Sequence, residues 1–80
     1  MPQWDKFRAK LDARKADNNI DFDDMRNFLL HLGFRESIEG SHHIFRRDGI
    51  SDRINLQPEG GKCKAYQVRQ TRKFLADNEI

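Results

Sequence analysis

The sequence has very little sulfur and no long apolar run. Cys63 is the single cysteine among 80 residues, which excludes an internal disulfide. No charged leader precedes an apolar segment, and no stretch is apolar enough to span a membrane. Internal repeats, linkers and low-complexity tracts are also absent. We therefore expect one small cytoplasmic domain over residues 1–80, without a membrane partner.

Apolar residues are scarce as well. They make up 36% of the chain, close to the 35% that is charged, and this balance lies near that of disordered proteins. However, six phenylalanines, one tryptophan and one tyrosine are enough to seed a core. We expect a folded chain whose thin core gives a small net stability.

Positive charge dominates only part of the chain. The formal net charge of +2 is too small to indicate a partner. Between residues 39 and 73, eight basic residues are accompanied by four acidic ones, whereas other acidic residues gather at 17–24. The eight are Arg46, Arg47, Arg53, Lys62, Lys64, Arg69, Arg72 and Lys73. Basic side chains bind phosphates by releasing condensed counterions, so this region favours a polyanion partner, although such a run is more often a solvated face.

Two amphipathic helices are predicted in the first half. The segment PQWDKFRAKLDARKA places Trp4, Phe7 and Leu11 at helical spacing, before a polar turn at residues 17–19. Trp4 and Phe7 either pack on the domain or anchor a partner. A second helix begins near Asp21 and ends at Gly33, a typical C-terminal cap. Its apolar stripe consists of Phe22, Met25, Phe28, Leu29 and Leu32.

After Gly33 the apolar period changes from about 3.6 to 2. Three short runs, FRESIEG, HHIFRRDG and RINLQPE, are separated by turn residues and predict three antiparallel strands. In the third run, Ile54 and Leu56 point to one face of the sheet. Pro58 and the following glycines end it.

A last helix is predicted from about Lys64 to Ala76. Its inward residues would be Ala65, Val68, Leu75 and Phe74, and its outward ones Arg69, Arg72 and Lys73. The fold class that follows is α+β, a three-stranded antiparallel sheet with helices on one face, in the order α-α-β-β-β-α. The other face of the sheet would meet solvent or a ligand.

The stretch GSHHIFRRDG carries the most chemistry. Successive strand residues point to opposite faces, so His43 shares one face of the strand with Phe45, and His42 shares the other with Ile44. The pattern does not decide which of the two faces is buried, and it therefore leaves open which histidine works. A neutral imidazole beside RNA could deprotonate a ribose 2′-hydroxyl, which then attacks the adjacent phosphorus. Gly40 would let backbone approach a phosphate, and Ser41 could hydrogen-bond one.

Competing interpretations of these residues exist. A histidine on a short strand is more often structural than catalytic. His31, His42, His43 and Cys63 lack the paired short spacings of zinc sites, so no metal site is predicted. Cys63 lies between Lys62 and Lys64, whose charges would lower the pKa of its thiol if they stay close to it, but we expect no role in catalysis.

Three blocks of this sequence resemble the HicA toxins of bacterial toxin-antitoxin pairs. They are FLLHLGF at residues 28–34, GSHHIFR at 40–46, and a strand ending in Pro58 followed by a basic helix. The resemblance covers roughly residues 22–75. It implies a fold like that of double-stranded-RNA-binding domains, metal-independent endoribonuclease cleavage of mRNA without a cofactor, and inhibition by a cognate HicB-like antitoxin.

The resemblance also assigns roles to individual residues. The family's essential histidine is the second residue after Gly-Ser, which is His43 here, as general base or acid. His42 then becomes an auxiliary or structural residue, and Gly40 and Ser41 form the turn that places the histidine. Together with the basic excess, it makes Arg46, Arg47, Lys62 and Lys64 candidate RNA contacts.

The sequence departs from the family pattern in three places. Residues 1–19 add a helix to a core over residues 20–80. The Pro-x-His step after the third strand is absent, and Ala65-Tyr66-Gln67-Val68 replaces the Gly-Thr-Leu that often opens the last helix. A non-catalytic RNA-binding module, a degenerate relative, or a protein that only binds the antitoxin are the alternative functions. The group that makes the second proton transfer, His42, a lysine or water, is left open.

Overall fold

The chain folds in the order helix, helix, three strands, helix, and the predicted α+β class is confirmed. The computed structural model describes residues 3–80, so Met1 and Pro2 of the first predicted segment lie outside the described residues. No helix within residues 3–80 is long and apolar enough to cross a membrane. The elements are α1 (Gln3–Asp12), a 3-10 turn (Asp17–Asn19), α2 (Phe22–His31), β1 (Arg35–Glu39), β2 (His42–Arg46), β3 (Ile54–Leu56) and α3 (Ala65–Asp77).

The first helix is shorter than its sequence pattern and packs on the domain. It ends at Asp12, and Arg14 then takes a φ of +61°. A right-handed helix needs a negative φ, so the helix cannot continue through Arg14. The rings of Trp4 and Phe7 lie 6.2 and 5.0 Å from the ring of Phe28 on α2. The two aromatic residues of α1 are therefore part of the protein's own hydrophobic packing.

Gly33 ends α2, as the sequence predicts. Its φ of +93° is a conformation that glycine adopts without strain. The amides of Gly33 and Phe34 donate to the carbonyls of Leu30 and Leu29, both at 3.1 Å, and so satisfy the last turn of the helix. The chain can therefore enter β1 at once.

The sheet has the order β1-β2-β3, with both neighbouring pairs antiparallel. Gly40 and Ser41 form a two-residue turn between β1 and β2, and the φ of +64° at Gly40 is that of a type II′ hairpin turn. This turn sets the register in which Ile38 pairs with His43, and Leu56 of β3 pairs with His43 from the other side. His43 thus lies in the middle of the sheet.

The helices cover one face of the sheet. Phe45 of β2 is fully buried there, and Ile54 and Leu56 point to the same core, as predicted. The helices contribute the remaining core residues, among them Leu11, Met25, Phe28, Leu29, Val68 and Leu75. Because Phe45 lies on this face, His43 lies on it too, whereas His42 and Ile44 point to the uncovered face.

The prediction that Arg72 points outward from α3 into solvent is wrong. Its side chain is only 12% exposed. Nη1 donates to the carbonyl of Leu11 at 2.9 Å, and the guanidinium forms two hydrogen bonds with Asp17, at 2.9 and 3.0 Å. The hydrogen bond from Arg72 lowers the pKa of the Asp17 carboxyl more than burial raises it. Arg72 therefore joins α3 to the end of α1 and to the 3-10 turn.

Candidate functional site

The β1–β2 hairpin brings a carboxylate to His43. Because Ile38 pairs with His43, Glu36 lies two residues along β1 on the same face of the sheet. Nδ1 of His43 lies 2.7 Å from Oε2 of Glu36. The ring of Phe22, the first residue of α2, lies 4.7 Å from the imidazole at a steep angle. The imidazole is thus held between a carboxylate and an aromatic ring.

Glu36 is itself fixed by α2. Its Oε1 accepts a hydrogen bond of 2.8 Å from Nε of Arg26, and its side chain is 9% exposed. Burial raises the pKa of the Glu36 carboxyl, but the hydrogen bonds from His43 and Arg26, with their charges, lower it by more, so this pKa lies below its ordinary value. Glu36 is therefore ionised at neutral pH and can only accept hydrogen bonds.

The ionised carboxylate determines which imidazole nitrogen carries the proton. Since Glu36 has no proton to give, Nδ1 of His43 donates to it. In the neutral ring, Nε2 then carries the lone pair. Nε2 has no hydrogen-bond partner among residues 3–80, and the side chain is 17% exposed. Glu36 thus orients the imidazole, and within the described part of the chain Nε2 is free to accept a proton from another molecule.

The neighbouring histidine does not share this site. His42 is exposed on the uncovered face of the sheet, where its Nδ1 lies 3.2 Å from Oδ1 of Asn55. The two histidines are therefore on opposite faces of β2. His42 is one candidate for the second proton transfer, and the fold directs it away from His43.

A second polar cluster lies at the same end of the sheet. Gln57, which follows Leu56, donates from Nε2 to Oγ of Ser41 at 2.9 Å. Its Oε1 accepts from Nζ of Lys64 at 3.0 Å. Its backbone amide donates to Oε1 of the buried Gln67 at 2.8 Å. The cluster joins two predicted site residues, Ser41 and Lys64, at the end of β3 where Leu56 pairs with His43.

Lys62 also lies near this end. The exposed Lys62 forms a backbone bridge with Asp21, the residue before Phe22, whose ring contacts His43. The loop after β3 and the start of α2 are held together by a hydrogen bond of 2.9 Å from the amide of Phe22 to the carbonyl of Gly61. Lys62 and Lys64 are thus the predicted RNA contacts that the fold places at the His43 end.

The two predicted arginine contacts lie elsewhere. Arg46 is exposed on the uncovered face and pairs with Arg35 at the opposite end of the hairpin from Gly40. Nε of Arg47 lies 3.8 Å from the position that a side chain at Gly33 would occupy. Neither residue is brought together with His43.

The predicted lowering of the Cys63 thiol pKa is wrong. Cys63 is buried in the core, and its amide donates to the carbonyl of Ile20 at 2.9 Å. Burial, with a smaller contribution from the negative charge of Asp21, raises the pKa of the thiol to about 12. Desolvation is the largest cause of this shift, and neither Lys62 nor Lys64 is among its causes. Cys63 is a core residue.

Sequence reasoning missed Glu36, Arg26 and Gln57. For Glu36 a signal existed, because a two-residue turn at 40–41 fixes the register and places residues 36 and 43 on one face. Arg26 and Gln57 have no such signal, since their contacts depend on how α2 and α3 lie against the sheet.

One groove of the surface lies away from the predicted site residues. A groove of about 770 Å³ between α1 and α2 is lined by Trp4, Phe7, Leu30 and His31 among others, and by none of the predicted site residues. Within residues 3–80, no three His, Cys, Asp or Glu side chains are arranged to hold one metal ion.

The chain matches no family model, no curated protein and no solved structure. The chemistry assigned to this site therefore depends on its geometry and on the sequence motifs.

Proposed function

We propose that the protein is a metal-independent endoribonuclease in which His43 is the general base, acting as the toxin of a toxin-antitoxin pair of the HicA type. The observation that carries this proposal is the 2.7 Å pair of Glu36 and His43, held by Arg26, with Nε2 left unpartnered among the described residues. A carboxylate that orients an imidazole and stabilises its protonated form is a recurring arrangement in enzymes that move protons.

The proposed reaction begins with deprotonation of a ribose 2′-hydroxyl by Nε2 of His43. The 2′-oxygen then attacks the adjacent phosphorus, and the bond from phosphorus to the 5′-oxygen of the next nucleotide breaks. The products are a strand ending in a 2′,3′-cyclic phosphate and a strand with a free 5′-hydroxyl, whose proton comes from water or from Lys64. Glu36 stabilises the imidazolium that forms at His43.

Positive charge near His43 would hold the substrate. Lys62 and Lys64 lie at the His43 end of the sheet, and their charges would offset the negative charge that develops on the phosphoryl oxygens. DNA has no 2′-hydroxyl and would be bound without being cut. The reaction needs no cofactor.

Exposed apolar side chains at this end favour unpaired RNA. Ile38, the strand partner of His43, is 62% exposed, and Tyr66 is 48% exposed on the first turn of α3 beside Gln67. Unpaired bases can stack on an aromatic ring, whereas paired bases in a helix cannot. The proposed substrate is therefore a single-stranded segment of mRNA in the cytoplasm, and a HicB-like antitoxin would restrain the activity.

The test compares the parent protein with His43→Ala and with His42→Ala as a matched control on the same strand. Purified proteins are incubated with a single-stranded RNA and with the DNA of the same sequence, and the products are separated on a gel. We expect cleavage of RNA by the parent and by His42→Ala, no cleavage by His43→Ala, and intact DNA throughout. Circular dichroism checks that all three proteins are folded.

The same variants can be induced in bacteria. Growth arrest with loss of message should follow induction of the parent and of His42→Ala, and not of His43→Ala. If His43→Ala cleaves RNA as fast as the parent, the mechanism is wrong. If the folded parent binds RNA and leaves it intact at saturating protein, the protein is a binding module instead.

A further inference from the structure

Gln57 has an amide orientation that chemistry fixes. Lys64 carries only donors, so the atom of Gln57 that faces its ammonium must be the carbonyl oxygen Oε1. The other end of the amide, Nε2, then faces Ser41 and donates to its hydroxyl oxygen. The backbone of Gln57 is held in turn by Gln67, which is 5% exposed. Both ends of the Gln57 amide and its backbone N–H thus form hydrogen bonds within the protein.

These contacts leave unused donors on both neighbours. Because Oγ of Ser41 accepts from Gln57, the hydroxyl proton of Ser41 remains available for another acceptor. Lys64 uses one of its three ammonium protons on Gln57 and forms no ion pair within residues 3–80. The two ends of the Gln57 amide thus hold the hydroxyl of Ser41 and the ammonium of Lys64, and each of these groups keeps a free donor.

The position of this pair matches its chemistry. Ser41 lies two residues before His43, and Gln57 follows Leu56, the strand partner of His43. The group that best satisfies a hydroxyl donor and an ammonium donor together is an anion with several acceptor oxygens and no protons to donate, which is a phosphodiester.

We propose that Gln57 assembles a phosphate-binding subsite from Ser41 and Lys64, which takes a backbone phosphate of the RNA strand that His43 cleaves. This proposal rests on the proposed ribonuclease function for the identity of the strand. Gln57 is a positioning residue, since it acts through Ser41 and Lys64 and keeps their donors at a fixed separation.

The test measures binding of an RNA oligonucleotide with a 2′-O-methyl group at every position, which cannot be cleaved by attack of the 2′-oxygen. The proteins are the parent, Ser41→Ala, Lys64→Met, Gln57→Glu and, as a matched control, Lys10→Met, which removes an exposed lysine on α1. Affinity is measured over a series of salt concentrations.

We expect Lys64→Met to weaken binding about tenfold at low salt and to reduce the slope of log affinity against log salt by about one unit. Gln57→Glu should have the same effect although Lys64 is still present, because the new carboxylate neutralises the ammonium and cannot donate to Ser41. Ser41→Ala should weaken binding a few-fold and leave the slope unchanged. Lys10→Met should bind as the parent does.

The result that overturns the subsite is parental affinity and salt slope in both Lys64→Met and Gln57→Glu. Thermal unfolding identifies any variant that fails to fold, and because Lys64 and Ser41 are surface positions, their variants keep the test decisive if Gln57→Glu is unstable. Failure of the two proposals is distinguishable. If the parent cleaves ordinary RNA but these variants bind RNA as the parent does, only the subsite proposal is wrong. If the variants weaken binding as expected but the parent does not cleave RNA, only the ribonuclease proposal is wrong.

Discussion

Glu36 accepts a hydrogen bond of 2.7 Å from His43 across the pairing of β1 with β2, beneath the start of α2. The same carboxylate accepts a hydrogen bond of 2.8 Å from Arg26, so three charged or titratable side chains form one chain of contacts from α2 to the central strand. A mostly buried carboxylate with two donors keeps its charge and its position. Glu36 therefore holds the imidazole of His43, and Arg26 of α2 holds Glu36.

Glu36→Gln should lower the rate of RNA cleavage by about 10- to 100-fold while leaving KM nearly unchanged. The amide can still accept a hydrogen bond from Nδ1, but it cannot stabilise the imidazolium as a carboxylate does. Single-turnover cleavage at saturating protein measures the effect, and binding of uncleavable RNA measures whether the surface is intact. A Glu36→Gln variant that cleaves at the parental rate would show that His43 does not depend on this carboxylate.

The stability of the fold should fall in acid partly because of Glu36. Its pKa is lower in the folded protein than the ordinary value of about 4.3 that we expect in the unfolded chain, so the unfolded chain binds more protons in acid. The stabilisation is therefore complete above the unfolded pKa and is lost as the pH falls through the folded pKa, from below about pH 5 downwards. The free energy of unfolding, measured by urea titration between pH 7 and 3, should decline less steeply in Glu36→Gln than in the parent. Equal slopes in the two proteins would contradict the assignment.

Much of the fold follows from local sequence. The stripe from Phe22 to Leu32 and the cap at Gly33 specify α2, and Gly40-Ser41 specifies a hairpin whose register already places Glu36 on the face of His43. What the sequence left open was which face of β2 the helices cover. That question depends on whether Phe45 or Ile44 meets the helices, and both are equally apolar.

The errors have a common physical cause. Arg72 lies on the polar side of α3 by helical periodicity, but the 3-10 turn and the end of α1 pack against that side and bring Asp17 to it. Cys63 lies between two lysines in sequence, yet its thiol is directed into the core. In both cases a local pattern was overridden by a contact between segments that are distant in the chain. The contacts of Gln57 also join separate segments, because its three partners lie 7, 10 and 16 residues away in the chain.

Replacing Arg72 with methionine should destabilise the protein by about 2 kcal/mol, because the change leaves the mostly buried Asp17 carboxylate and the carbonyl of Leu11 without their donor. Lys73→Met is a matched control on the same helix, since the pair of Lys73 with Asp77 is exposed and its loss should change stability little. Urea unfolding at pH 7 measures both. Equal stability in Arg72→Met and Lys73→Met would mean that the Arg72 contacts do not hold α1 and α3 together.

The thiol of Cys63 should be almost unreactive while the protein is folded. Its pKa of about 12 leaves very little thiolate at pH 8, and the side chain is buried in the core. Alkylation by iodoacetamide at pH 8 should therefore be on the order of 10³-fold slower than in 6 M urea, where the thiol has an ordinary pKa near 8.5. Mass spectrometry of samples taken over time measures the two rates. Rapid alkylation of the folded protein would show that Cys63 is accessible and ionised, and would restore the sequence-based expectation that Lys62 and Lys64 lower the pKa of its thiol.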